Sequence, residues 1–403
     1  MKTYRVGGAV RDKLLGRPTQ DNDWVVVGAT PEELEAQGYK RVGSGFPVFL
    51  HPETGDEYAL ARTERKSAPG YKGFTIHAAP DVTLEDDLRR RDLTINALAE
   101  DVDGNIIDPF GGKSDLERGI LRHVSPAFAE DPLRVLRVAR FAARFKFEIA
   151  EETLELMRQI AESGELEHLV PERVWTETER ALAEPLASRY FDVLRVCGAV
   201  GHLFPELETL YGVPQPANYH PEIDTGIHTM MVLEQACALS SDARVRFAAL
   251  LHDLGKGTTP REDWPSHRGH EERSVVLINS FCDRYRVPTR YRELAVAVAL
   301  YHPDCHRILE MRPSSILRKL EELDAFRRPD RFEQFLIACE ADARGRKGFE
   351  ERDYPQAAYF RRAFTAAREA GSEDLDTGAL TGEQVGAAIR IRRLEAISRA
   401  LAS

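Results

Sequence analysis

Asp21 and Asp23 stand at the head of the apolar run Trp24-Val25-Val26-Val27, and they are the acids of this sequence best placed to hold a cation. The run reads as a buried strand. Side chains alternate along a strand, so acids two residues apart point the same way. Carboxylates so placed repel each other unless a divalent cation lies between them, and an all-oxygen donor set suits Mg²⁺. Two such ions would lower the pKa of an attacking hydroxyl and bridge a triphosphate as pyrophosphate leaves. Upstream, Gly7 and Gly8 follow the β-prone Tyr4-Arg5-Val6 and open a helix-like segment, Ala9 to Leu15, that stops at Gly16. That backbone can approach a phosphate closely, and Arg11 would neutralise phosphate oxygens. Either half alone reads as readily as a tight turn or as solvated acids. In this order, at the edge of an apolar strand, they indicate metal-dependent phosphoryl or nucleotidyl transfer.

A second set is built from histidine and aspartate: His228, His252-Asp253, His267, His270, His302 and Asp342. A lone histidine is more often a core or surface residue than a ligand. An adjacent His-Asp at a helix end, followed by Leu-Gly-Lys, is different. Imidazole nitrogens with carboxylate oxygens suit a divalent transition metal that activates water for phosphoester hydrolysis.

The third feature is basic. Asp131-Pro132 opens a predicted helix on which Arg134, Arg137, Arg140 and Arg144 share one arc, with Val135, Val138, Ala139 and Ala142 mostly opposite. Asp131 by itself reads as an N-cap. A solvated basic face would interleave acids at i,i+4, and none stands between Arg134 and Arg144, so something anionic is expected along this face. Arg89, Arg90 and Arg91 form a separate cluster.

These groups need several domains to position them. The chain has 403 residues, too many for one ordinary core, and 42% of them are hydrophobic. A net charge of -11 argues against a general nucleic-acid coat but leaves room for a local basic groove. Five cysteines without CxxC pairs indicate neither a disulfide framework nor a cysteine zinc site, and no apolar run reaches membrane-spanning length. The expected location is cytoplasmic, with no membrane partner. Up to about Val124 strands and helices mix. Thr30-Pro31-Glu32-Glu33 starts a helix that Gly38 can end, 47–50 and 57–62 read as strands, 66–80 as a loop, 97–101 and 105–107 as a hairpin around Asp103-Gly104, and Ser114 with Glu117 as a capping box. From Asp131 onward helices take over, with 133–145, 152–160, 171–183 and 226–239 the clearest. The proline-rich stretch 205–221 is the main boundary candidate, with a softer one near Gly345.

GGAVRD, the DxD pair before a Val-rich strand, RRDLTINA (90–97) and EDPLRVLRVAR (130–140) together resemble the bacterial class II tRNA nucleotidyltransferases, the CCA-adding enzymes. The resemblance implies an α+β chain: a polymerase β-like nucleotidyltransferase head with a small mixed sheet (1–125), a helical base- and RNA-binding neck and body (126–220), an all-α HD domain (221–345) and a helical tail (346–403). It assigns Gly8 and Arg11 to the triphosphate, Asp21 and Asp23 to Mg²⁺ and catalysis, Arg91 to the nucleotide, and Asp131 and Arg134 to the incoming base, with Arg137 and Arg140 counted among the nucleotide-binding side chains. Glu57 is a candidate third acid. The later half resembles the HD metal phosphohydrolases, whose pattern His228, His252 and Asp253 match. Asp342 is the first choice for the distal ligand and Asp304 the second, Ni²⁺ is one candidate ion, and His267 and His270 are outer ligands or substrate contacts. The implied activity is addition and repair of a tRNA 3′-terminal CCA from CTP and ATP, with hydrolysis of 2′,3′-cyclic phosphates, 2′-nucleotides and phosphate esters, by a monomer or homodimer. The alternatives are a bacterial poly(A) polymerase and an RNA-binding HD phosphohydrolase without nucleotidyl transfer.

Overall fold

The computed structural model describes residues 1–19, 22–42, 48–66, 74–217, 221–371 and 381–402. The chain divides into two compact units, Met1–Leu203 and Phe204–Ser403.

In the first unit the described residues form a seven-stranded mixed sheet in the order β3-β4-β5-β2-β1-β8-β9. The strands are β1 (Lys2–Val6), β2 (Asp23–Val27), β3 (Lys40–Val42), β4 (Val48–Leu50), β5 (Glu57–Leu60), β8 (Ala99–Glu100) and β9 (Ile106–Ile107). β6 (Thr63–Lys66) and β7 (Phe74–His77) make a separate antiparallel pair. The stretch expected as a loop from Lys66 to Pro80 therefore contains a strand, while 67–73 lie outside the described residues. β2 pairs with β1 antiparallel and with β5 parallel, placing Asp23 beside Glu57, Trp24 beside Tyr58, Val25 beside Ala59 and Val26 beside Leu60. Alternation along these strands builds two cores. Val26, Tyr58 and Leu60 pack with Leu34 and Phe49 on one face, and Val25 packs with Val6, Ala61, Leu88 and Ala97 on the other.

The helices of this unit are α1 (Gly8–Leu14), α2 (Pro31–Ala36), α3 (Leu84–Arg89), α4 (Gly112–Arg118), α5 (Leu133–Phe145), α6 (Glu151–Glu162), α7 (Pro171–Ala183), α8 (Ala187–Val196) and α9 (Ala199–Leu203). α2 carries the full capping box of Thr30 and Glu33. The box expected at Ser114 and Glu117 is absent because Ser114 lies inside α4. The Asp108 carboxylate accepts from the Gly112 and Lys113 amides instead. Strand signal also persists past Asp131, since β11 (Glu148–Ile149) pairs parallel with β10 (Ile120–Leu121). α5 buries Leu133, Val135, Leu136, Val138, Ala139, Phe141 and Ala142, and it packs against α7 and α8.

The second unit is helical in its described residues: α10 (Pro205–Glu208), α11 (Thr225–Leu239), α12 (Ala243–Leu251), α13 (His270–Tyr285), α14 (Thr289–His306), α15 (Pro313–Glu322), α16 (Pro329–Arg344), α17 (Pro355–Glu369) and α18 (Gly382–Ala402). α12 is buried almost all round and packs against α11, α14 and α16, as expected of a helix apolar on every side. α17 and α18 pair and lie on α15. No described helix is long and apolar enough to cross a membrane.

Candidate active sites

Asp23 is exposed at the first position of β2, and Glu57 is exposed at its register mate on β5. Paired positions of neighbouring strands share a face, so the two carboxylates stand side by side. The next pair, Trp24 and Tyr58, confirms the phase by stacking on the opposite face with centroids 5.4 Å apart. Two adjacent carboxylates facing water supply the hard oxygen donors that Mg²⁺ takes. Asp21 lies outside the described residues.

The glycine turn beside β2 is held by arginines. Gly7 has φ +68°, a conformation that favours glycine, and a Cβ there would come within 2.7 Å of Arg91 Nη1, so a side chain would push the guanidinium aside. Gly7→Ala is expected to cost roughly 1–3 kcal/mol in strain and to lower nucleotide incorporation by displacing Arg91. Urea melts and incorporation rates of that variant measure both effects. Arg91 itself is steered by the buried Asp87 at 3.2 Å and by the Asn96 carbonyl at 3.3 Å. Arg11, expected at the triphosphate, is anchored by protein partners. It is 4% exposed, bonds Asp12 at 2.9 Å and Asn96 at 2.5 Å, and stacks on the Phe141 and Phe145 rings. Burial lowers its pKa against the pull of Asp12. In this structure Arg11 ties the glycine turn to α5.

The arginine face of α5 meets anions, as its spacing suggests, and among the described residues these are protein side chains. Arg137 bonds Asp92 at 2.7 Å, Arg140 bonds Glu177 at 2.7 Å and approaches Glu184 at 3.7 Å, and Arg144 bonds Asp12 at 3.3 Å. Arg134 donates to the carbonyls of Ala127 at 2.8 Å and Arg90 at 2.6 Å, and Asp131 pairs with Arg173 at 2.9 Å while accepting from the Leu133 amide. A lone helix cannot reveal acids supplied by other elements, which is why the sequence left the face unneutralised. Asp92 is the most perturbed member. Burial pushes its carboxyl up, but Arg137 and Asn96 outweigh burial and hold it well below the usual carboxylate range. A folded pKa below the unfolded one adds stability that is present above the unfolded value of about 3.9 and is lost as pH falls toward the folded value. Asp92→Asn should thus cost about 2 kcal/mol at pH 7, less than a fully buried pair because Arg137 is one-third exposed, and the gap from the parent should narrow below about pH 4. Urea midpoints at the two pH values test this.

In the second unit α11 supplies His228, the end of α12 supplies His252-Asp253, α13 begins with His270, α14 carries His302 and His306, and α16 carries Asp342. His228, His252 and Asp253 offer ligand atoms within 4.8 Å of one another, as do His252, His302 and Asp342, and Asp253, His270 and His302. The imidazoles share a second property. Nδ1 of His228, His252, His270 and His302 meets a backbone carbonyl, of Gly345, Ala249, His267 and Val298 respectively, at 2.7–3.0 Å. Each Nδ1 then carries a proton, and each Nε2 is the nitrogen turned toward the cluster. His252 Nε2, His270 Nε2 and Asp253 Oδ1 are buried and make no well-aligned hydrogen bond, although Asp253 lies 3.1 Å from His252 Nε2 and 3.2 Å from His270 Nε2. Such orphaned atoms around one point fit a divalent cation better than they fit one another.

The charges of the cluster answer one another. Burial opposes charge throughout, but Asp253 and Asp342 outweigh it at His252 and push its pKa up to about 10, so that its Nε2 holds a proton a cation would have to displace, whereas burial dominates at His302 and pulls it down to about 3. Both carboxyls are held well below their ordinary range by the neighbouring histidines, despite burial. Asp342 approaches His228 Nε2 at 3.1 Å and His252 Nε2 at 3.6 Å, whereas Asp304 is bound to Lys319 at 2.9 Å. His270 joins the cluster. His267 bonds Thr259 and the Pro214 carbonyl. His306, whose Nε2 reaches Asp342 at 2.6 Å and whose Nδ1 meets the Tyr354 hydroxyl at 2.9 Å, was not anticipated, although His302 and His306 stand at helical i,i+4 spacing.

Comparison with known proteins assigns the family. The chain matches the poly A polymerase head domain over residues 3–122, the probable RNA- and SrmB-binding site of polymerase A over 146–210, and the HD domain over 225–328. The multifunctional CCA protein of Nitrosococcus oceani is 62% identical over 401 residues, covering 100% of this chain and 99% of its own length. The chain belongs to the multifunctional CCA protein family. The multifunctional CCA protein of Methylococcus capsulatus is 59% identical over 403 residues, covering 99% of this chain and 95% of its own. Among solved structures, the Bacillus stearothermophilus CCA-adding enzyme in complex with CTP aligns with a TM-score of 0.63 at 25% identity, covering 98% of this chain and 89% of its own. The Thermotoga maritima CCA-adding enzyme complexed with tRNA shares the fold with a TM-score of 0.62 at 20% identity, covering 100% of this chain and 91% of its own.

Proposed function

We infer that this chain is a tRNA nucleotidyltransferase that adds and repairs the 3′-terminal CCA from CTP and ATP with release of pyrophosphate, and that its HD unit is a metal-dependent phosphohydrolase. The full-length 62% identity to a multifunctional CCA protein carries this reading. Asp21 and Asp23 would hold Mg²⁺, with Glu57 beside Asp23. The ion's contribution is to acidify the RNA 3′-hydroxyl and to neutralise the triphosphate. Gly8 and Arg11 would meet the triphosphate and Arg91 the nucleotide, with Arg11 also bracing the turn against α5. Asp131 and Arg134 would meet the base: a carboxylate accepts from the exocyclic amine that C and A share, a guanidinium donates to ring and carbonyl acceptors, and U and G present another order. Arg137 and Arg140, on the same face of that helix, would also contact the nucleotide.

His228, His252, Asp253 and Asp342 would hold a transition metal, for which Ni²⁺ is a candidate, and 2′,3′-cyclic phosphates, 2′-nucleotides and phosphate esters are the proposed substrates. The division we propose is head 1–125, neck and body 126–220, HD domain 221–345 and tail 346–403, in a cytoplasmic monomer or homodimer whose partner is the tRNA 3′ end.

The test supplies tRNA lacking its terminal CCA, Mg²⁺, CTP and ATP, and expects three added nucleotides. No addition, with intact RNA and metal, refutes the transferase reading. The match of 3–122 to a poly A polymerase head favours one second reading, polyadenylation, which predicts long tails from ATP alone.

A further inference from the structure

Glu222 lies six residues before His228, outside α11, and its side chain is 2% exposed. Its Oε1 stands 3.0 Å from His228 Nδ1, the nitrogen that also donates to the Gly345 carbonyl at 3.0 Å. The opposite nitrogen, Nε2, faces Asp342 and the metal-ligand cluster. A carboxylate behind a buried imidazole fixes the proton on Nδ1, orients the ring and makes Nε2 a better donor to a metal.

The backbone around Glu222 is shaped for this placement. Ile223 is a β-branched residue at φ +61°, a conformation such residues avoid, and it is 47% exposed, so its side chain gains little by being there. The bend lets successive carboxylates face opposite ways. Glu222 turns inward to His228, while Asp224 caps α11 through the Ile227 amide and accepts from the Gly212 amide at 2.6 Å. The turn is pinned on both sides, by Asp224 N to Glu222 O and by Gln215 N to Ile223 O, each 2.7 Å. Strain of this kind persists where the surroundings enforce it, typically beside a working site.

We propose that Glu222 is a positioning residue of the HD site, holding His228 in the tautomer and orientation that presents Nε2 to a divalent cation. The proposal rests on reading the histidine and aspartate cluster as a metal site, so the experiment separates the two. Full-length parent, Glu222→Gln and Glu222→Ala, stripped with a chelator, are titrated calorimetrically with Ni²⁺ and with Mn²⁺ alone. Histidine ¹⁵N spectra of the stripped proteins report the His228 tautomer, and His228→Gln identifies its signal. If the parent binds neither ion, the metal reading fails.

With a binding parent, Glu222→Ala is expected to weaken affinity roughly 10- to 100-fold, as loss of a second-layer carboxylate does, and to weaken the Nδ1–H signature, which the Gly345 carbonyl alone then holds. Glu222→Gln, whose amide oxygen still accepts from Nδ1, is expected to recover most of both. The proposal is overturned if Glu222→Ala binds as the parent does, or if Glu222→Gln loses as much as Glu222→Ala while melting at the parent temperature. The melting temperature of the second unit, read for each stripped variant, checks that the unit carrying residue 222 is folded.

Discussion

Asp23→Ala is expected to abolish CTP and ATP incorporation while leaving phosphoester hydrolysis intact. The carboxylate is exposed at the start of β2 and packs into neither core, so its removal should change stability by no more than about 0.5 kcal/mol. Its value is electrostatic. It stands beside Glu57, and losing it removes one of the carboxylates proposed to hold the divalent ion. A fall of at least about 1,000-fold in incorporation, or ~4 kcal/mol in the barrier, is the expected scale for an ion that both generates the nucleophile and neutralises the leaving group. Single-turnover incorporation with saturating Mg²⁺ measures it, and a variant retaining even a tenth of the parent rate would remove Asp23 from the metal-binding role.

Asp253→Asn should do the reverse. Asp253 Oδ1 is buried without a well-aligned hydrogen bond, while Oδ2 receives Lys256 Nζ at 2.6 Å and lies 3.1 Å from His252 Nε2. The amide keeps the shape but loses the charge, so the site's affinity for a cation should fall together with hydrolysis, by about 1,000-fold or more in rate. CCA addition should be unchanged. The second readout is thermal: added Ni²⁺ should raise the melting temperature of the parent's second unit and leave the variant's unmoved, because binding stabilises only the state that binds. Equal stabilisation of both proteins would show that Asp253 is not a ligand.

Much of this architecture was legible in the sequence because its signals are local. The helices Leu133–Phe145 and Pro171–Ala183 have the boundaries their periodicity indicates, and Ala99–Glu100 pairs with Ile106–Ile107 across the Asp103-Gly104 turn. What escaped was non-local. That Glu57 sits level with Asp23 depends on the parallel pairing of strands more than thirty residues apart, which alternation within either strand cannot fix. The acids that neutralise α5 come from α1, α7 and the turn after α3, and no window along α5 contains them. His306 was hidden by Pro303, which reads as a helix stop although α14 continues through it to His306. Asp342 and Asp304 were separated only once the helices packed, Asp304 facing Lys319 instead of the histidines.

The stacked rings of Phe141 and Phe145 have a mechanical consequence. Arg11 and Arg17 from the glycine-turn side, and Arg140 and Arg144 from α5, bring their guanidinium carbons within 4.5–5.2 Å of one ring or the other, while Asp12 locks Arg144 across the same joint. Segments more than a hundred residues apart are thus clamped into one lever, with the glycine turn at one end and Asp131 and Arg134 at the other. On the proposed assignment, a ligand that shifts one end is expected to load the other. By reciprocity, a base that fits should tighten the grip on its own triphosphate, and a base that does not fit should loosen it. Discrimination would then be felt at the phosphates as well as at the base edge.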